Sequence, residues 1–270
     1  MDTINENQFK EIYDYIRNNF GVSLKRDDRR ILTNKYNKFL EAIGVDNFKE
    51  AYTKVANDTT GEYKRIIADI ITVNYTFFMR ESQHFSYFKN EVLPYLKDVV
   101  KDKDLRIWCA ACSSGEEAYT LAMIIEEFFI NENLFWDKKI LATDISSKVL
   151  EKAINGIYTL KDIEALPINW RFNYFNKISE NDFAIRKEIK DNVIYRRFNL
   201  MEEKFPFKKK FQVIFCRNAM MYFDSVTQKK VLKKFYDNTE KGGYLFVGHS
   251  EAINVEGTGY KCVKPAVYRK

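Results

Sequence analysis

Histidine is nearly missing from this chain: its 270 residues hold two, His84 and His249. A mechanism built on an imidazole base, or on a metal held by several histidines, has little to draw on. Glycine and proline are also few, ten and four, which disfavours an all-β fold of tight turns and points to helices mixed with strands. No apolar run reaches membrane-spanning length: the best candidate, "LAMIIEEFFI", is broken by Glu126 and Glu127. The opening "MDTINENQFK" lacks the apolar core of a signal peptide. A cytoplasmic protein with no direct membrane insertion is expected. Positive charge is spread along most of the chain. Lys and Arg (44) are interleaved with Asp and Glu (38), so the net charge of +6 is a mild bias towards an acidic partner. No nucleic acid partner is expected, because that would need clustering.

Apolar residues make up 46% and aromatics 16%, enough for a substantial core in one large domain or two modest ones. From residue 1 to about 72 the apolar spacing is helical. Phe9, Ile12, Ile16 and Phe20 recur at intervals of three and four, and Gly21 ends the run. A second helix is predicted over 23–43, capped by Ser23, and two more near 48–55 and 63–71. After Lys101 short apolar runs, "LRIWCA", "KKILATD", "VIYRRFNL", "FQVIFC" and "GYLFVGHS", alternate with helical stretches. That alternation predicts a parallel, doubly wound sheet. The connection over 157–192 is too long for a simple crossover and predicts an inserted antiparallel sheet.

The stretch "WCAACSSGEEAY" poses a choice. Cys109 and Cys112 have redox spacing, yet a redox pair puts its first cysteine at a helix N-terminus. Here the helix start is marked later, by Ser113 with Glu116 or Ser114 with Glu117 as a capping box. Buried, reduced thiols are therefore expected. A dinucleotide loop would need G-x-G-x-x-G, and only Gly115 is present. A cofactor without phosphate fits better, namely S-adenosylmethionine, whose ammonium Glu116 or Glu117 can face. Asp144, closing the second strand, stands where a carboxylate takes ribose hydroxyls, although a helix N-cap would look the same.

Together these motifs resemble the chemotaxis receptor methyltransferases, which methylate glutamate side chains of bacterial chemoreceptors with S-adenosylmethionine. "TVNYTFFMRE" is similar to the family's TTNET-x-FFRE and "CSSGEEAYTLAM" to its C-S-T-G-E-E-P-Y-S-L-A-M. "ATDIS", "FNLME", "VIFCRNAMMYFD" and "GYLFVGHSE" follow in the family's order. The resemblance implies a methyltransferase fold with an N-terminal helical domain (1–75) and a cofactor-binding domain (76–270) that carries the small β subdomain (157–192). It implies that Asn74, Thr76 and Arg80 reach cofactor and acceptor, and that Glu116, with Glu117 adjacent, holds the cofactor's amino group. Asp144 takes the ribose, and Asn199 and Leu200 lie near the adenine. Arg217 and Asn218 stand beside the cofactor, and Tyr222 is close to the transferable methyl. Val73, Tyr75 and Ala118 depart from the family's Thr, Glu and Pro.

The implied reaction converts glutamates of the cytoplasmic domain of chemoreceptors to methyl esters and leaves S-adenosylhomocysteine. Arg80 orients the acceptor, Tyr222 bounds the methyl pocket, and Phe77 and Phe78 exclude water. No metal is called for. His249 reads as structural and His84 as a surface or domain-interface residue. Arg26 and Arg30 lie opposite the apolar stripe of the second helix, and the family uses a basic helix there against acidic receptors. Members that capture a receptor tail on the β subdomain carry a longer, Gly-containing loop. Here that loop, "NKISEND", is short and lacks Gly, so no C-terminal pentapeptide tethering is expected. Two rivals share the fold: a methyltransferase of another acceptor and a cofactor-binding regulatory protein. The absence of Pro-Pro speaks against the [DNS]-P-P-[FYW] motif of nucleic acid amino-methylases, and the presence of Arg80 and Tyr222 speaks against a protein without chemistry.

Overall fold

Asn5 starts the first helix through its own side chain, which accepts the Gln8 N–H at 2.9 Å while the Gln8 side chain accepts the Asn5 N–H. That helix, α1 (Glu6–Phe20), ends at Gly21 with φ 73°. The computed structural model describes residues 5–23, 29–132, 135–251 and 253–270. α2 (Arg29–Ile43), α3 (Phe48–Ala56) and α4 (Glu62–Ile71) follow. Their apolar stripes meet in one buried cluster that includes Ile16, Phe20, Leu32, Phe39, Ala51, Ile67, Ala68 and Ile71. The expected cap at Ser23 cannot be followed into α2, because residues 24–28 lie outside the described residues. Val22 forms a bridge with Phe223, and the Ser23 N–H donates to the Tyr222 carbonyl at 2.7 Å. Arg26 lies outside the described residues, while Arg30 is exposed on α2.

α5 (Ser82–Tyr87) passes through one π-turn (Phe88–Val92) into α6 (Leu93–Val99), and the sheet begins with β1 (Ile107–Cys109). Then come α7 (Glu116–Phe129), β2 (Ile140–Asp144), α8 (Ser147–Asn155), β3 (Ile157–Thr159), α9 (Leu160–Ile163), α10 (Ile168–Tyr174), β4 (Phe175–Lys177), β5 (Asp182–Ile185) and α11 (Lys187–Lys190). β6 (Val193–Arg197), β7 (Phe211–Phe215), α12 (Ser225–Asn238), β8 (Thr239–Phe246), β9 (Lys261–Lys264) and β10 (Val267–Arg269) complete the chain. The main sheet runs β6-β2-β1-β7-β8-β10-β9. It is parallel from β6 to β8, and β10 and β9 extend it antiparallel.

Successive strand residues alternate between two cores, as a period of two requires. Ile107, Cys109, Val213, Phe215 and Phe246 face the cluster under α5–α8. Trp108, Ile214, Cys216 and Leu245 face the one under α12. The inserted segment forms a separate antiparallel sheet, β3-β5-β4. β5 pairs on both sides, with Ile157–Thr159 and with Phe175–Lys177. No described helix is long and apolar enough to cross a membrane.

Candidate active site

The carboxyl ends of β1, β2 and β7 open towards one cavity, the usual crevice of a doubly wound sheet. The extended segment 72–77, which leaves α4, closes it from the other side. The loop after β1 is bent by Ser113 (φ 48°) and Gly115 (φ 98°). A Cβ on Gly115 would stand 2.9 Å from the Ala153 Cβ and from the hydroxyl oxygens of Tyr158 and Tyr195, so only glycine fits. The expected capping box is absent. Gly115 is the N-cap of α7 and offers no side chain. Ser113 does other work: its N–H donates to the Asp144 carboxylate at 2.8 Å and its hydroxyl to the Asn74 carbonyl at 2.9 Å. One residue thus joins the front wall of the cavity to the second strand.

Arg217, 5% exposed, is the electrostatic centre behind this wall. Its guanidinium donates to Glu117 at 2.6 Å, to Glu81 at 3.0 Å and to the Arg80 carbonyl. Burial pulls against its charge, but Glu117 and Glu81 outweigh burial and raise its pKa. The Cys109 thiol also donates to Glu117, at 3.0 Å. Asn218 (φ 58°) is pinned by Glu251, whose carboxylate accepts the N–H groups of Asn218, Met221 and Gly248 at 2.8, 3.0 and 2.6 Å. Met79 (φ 60°) and Glu81 (φ 55°) are held in the same left-handed region. Strained backbone gathered at one cavity is a common mark of a functional site.

Asn74, Thr76, Arg80, Asp144, Asn199, Leu200, Arg217, Asn218 and Tyr222 all line this cavity. Glu116 does not. It is 3% exposed, its oxygens accept the Ser114 hydroxyl at 2.9 and 2.8 Å, and burial raises its pKa. Glu117, one residue on, lines the cavity instead. Asn199 is fixed from outside, its side-chain amide donating to the Asn19 carbonyl at 2.7 Å. Phe77 is at the cavity, whereas Phe78 is wholly buried among Tyr158 and Phe175. Cys109 and Cys112 are free and buried, and burial pushes both thiols up, away from redox use.

Sequence reasoning assigned no role to Glu81 or Glu251, although both stand in quoted motifs, "FFMRE" and "GHSE". It also misplaced His84, which is 2% exposed and packs edge-on against Phe246 and His249. Glu81, His84 and His249 bring ligand-type atoms within 4.8 Å of one another, but the Glu81 oxygen there is already engaged by Arg217.

These residues suit a nucleoside cofactor without phosphate. Asp144 keeps unshared lone pairs beyond its bonds to the Ser113 and Ser146 N–H groups. Ile145, Phe198 and Leu200 offer an apolar wall, and Ala110 and Ala111 leave space. A largely parallel sheet with helices on both faces and such a pocket at its carboxyl edge is the architecture that an S-adenosylmethionine-dependent methyltransferase requires.

Comparison with known proteins narrows the class. The family described as "CheR methyltransferase, SAM binding domain" matches residues 74–268, and the chain belongs to it. A chemotaxis protein methyltransferase of Borreliella burgdorferi is 37% identical over 99% of this chain and 95% of its own. A probable chemotaxis protein methyltransferase of Rhizobium etli is 33% identical over 87% and 89%. One from Salmonella typhimurium is 32% identical over 92% and 84%. S-adenosylmethionine is the cofactor of this chain.

Proposed function

We propose that this protein methylates specific glutamate side chains in the cytoplasmic domain of chemoreceptors, acting in the cytoplasm and leaving S-adenosylhomocysteine. The observation that carries this reading is the meeting of Arg80 and Tyr222 with Asp144, Glu117 and Asn199 around one cavity. A glutamate carboxylate, with an ordinary pKa near 4.3, is already an anion at pH 7 and needs no general base. The two histidines lie outside that cavity, which agrees with such chemistry.

Each residue then has a physical task. Asp144 accepts ribose hydroxyls, Phe198 and Leu200 flank the adenine, and Asn199 hydrogen-bonds it. Glu117 rather than Glu116 takes the amino end, because Glu117 lines the cavity and Glu116 does not. When bound, the cofactor supplies an electrophilic methyl on a cationic sulfur. Arg80 orients the acceptor carboxylate, and Tyr222 bounds the space between acceptor and methyl. Phe77 keeps water out, which favours a reaction in which charge is lost. Alignment of this kind is worth on the order of 7–11 kcal/mol in well-oriented cases.

The test is transfer of labelled methyl from S-adenosylmethionine to a purified cytoplasmic receptor fragment, read as a base-labile ester. Labelled fragment is the expected product. Cofactor binding by calorimetry without any transfer would leave a regulatory protein. Label that appears only on another acceptor would replace the substrate.

A further inference from the structure

From Thr72 to Phe77, after α4, the chain is extended, and exposure alternates strictly along it. Val73, Tyr75 and Phe77 face outward, at 58%, 73% and 42% exposure. Asn74 faces inward, where its carbonyl accepts the Ser113 hydroxyl, and Phe78 is fully buried. Three apolar side chains therefore form a lip along the mouth of the cavity described above. The Tyr75 and Phe77 rings lie 5.8 Å apart. The Arg80 guanidinium stands 5.8 and 5.9 Å from their centres and is anchored by a 2.7 Å bond to the Tyr75 carbonyl. A contiguous apolar patch beside one cation at a reaction site is a mark of a surface used for binding.

We propose that this lip docks the acceptor helix and selects glutamates that have a large apolar side chain one helical turn away. The inference rests on the receptor-glutamate reading above. Its basis is that one cation and two exposed rings share a single edge of the cavity mouth. Side chains at i and i+4 lie on one face of a helix. A glutamate of a helical acceptor that reaches Arg80 thus brings its neighbour one turn along to the edge formed by Tyr75 and Phe77. Charge is complementary at one point and apolar area at the other. Val73 and Tyr75 occupy positions where the family motif has Thr and Glu, so this preference belongs to this chain rather than to the motif at large.

The test uses a designed helical hairpin with a single acceptor glutamate and either Leu or Ser one turn away on both sides. The unsubstituted protein should show a KM about tenfold lower for the Leu hairpin, a usual size for apolar discrimination by a pocket. In the Val73→Thr/Tyr75→Glu protein that ratio should collapse to within about twofold. Affinity for S-adenosylhomocysteine, measured in parallel, reports that the cavity is still formed. Equal ratios in both proteins overturn the lip while leaving the glutamate reading intact. A dimer that the substitutions convert to a monomer assigns the lip to a second copy instead. No transfer to either hairpin by unsubstituted protein that binds the cofactor removes the glutamate reading, and this proposal with it.

Discussion

Glu116 and Glu117 are adjacent in the chain and chemically identical, yet a helix turns successive side chains by about 100°, so they meet different surroundings. Replacing Glu117 with Gln should weaken S-adenosylmethionine binding by about tenfold or more, since a charge-assisted bond is roughly twice as strong as a neutral one. Glu116→Gln, which alters a side chain bonded to Ser114, should leave that affinity nearly unchanged. Calorimetry on the two variants decides the matter, and the reverse order of effects would return the amino group to Glu116. Arg80→Ala should keep cofactor affinity within about tenfold while transfer falls about a hundredfold or more, the usual scale for a lost orienting contact. A collapse of affinity would make Arg80 a cofactor clamp. At this scale the sequence was informative about which residues reach the cavity, through ordered motifs. It could not separate Glu116 from Glu117, because neither composition nor spacing records a side-chain direction at a helix start that lacks a cap.

Helices and strands with a strong period were legible. Phe9 to Phe20 showed the spacing of α1, and the central strands were apolar enough to stand out. Ser23 makes a contact that no local pattern records, since its N–H joins the chain to Tyr222 across the fold. β9 and β10 escaped notice for a different reason. Lys261–Lys264 is exposed throughout and has no apolar run, so only its pairing makes it a strand. The inserted sheet bears on receptor capture. β5, the strand that reads "DFAI", has both edges taken, and only the three-residue strands β3 and β4 offer a free edge. The turn from β4 is tight, with the Ile178 and Ser179 N–H groups both donating to the Asp182 carbonyl. Strand addition needs an accessible edge of useful length. A receptor pentapeptide ending in an aromatic residue should therefore give no saturable binding at low micromolar concentration by fluorescence anisotropy. A saturable curve would reopen tethering at β3 or β4.

Stability of the whole molecule should fall in mild acid, and His84 gives the sign. Burial first, then Arg217 and His249, lower its pKa from 6.5 to about 4, with Glu81 opposing. Folded protein keeps His84 neutral, while unfolded chain takes up a proton below about 6.5. Stability is thus present above that value and is lost as pH falls towards 4, by up to about 3 kcal/mol from this residue. Glu81, lowered mainly by Arg217 against burial, adds a loss at still lower pH. Asp144, Glu116 and Glu251, raised by burial, act in the opposite direction just above their ordinary values. Urea denaturation of the protein and of His84→Gln at pH 7, 6 and 5 isolates the histidine. The variant should lose less stability over that range, and parallel curves would remove His84 as the cause.

The bond from Ser23 to Tyr222 has one more consequence. With the Val22–Phe223 bridge, the 2.7 Å Arg17–Asp224 pair and the Asn199–Asn19 bond, it stitches the helical bundle to the sheet through backbone as well as side chains. A bundle hung on a bare linker would melt by itself and give a calorimetric trace with two peaks. Here losing the bundle also strips partners from Tyr222 and Asn199, so the two parts are expected to melt in a single cooperative transition, with equal calorimetric and van't Hoff enthalpies.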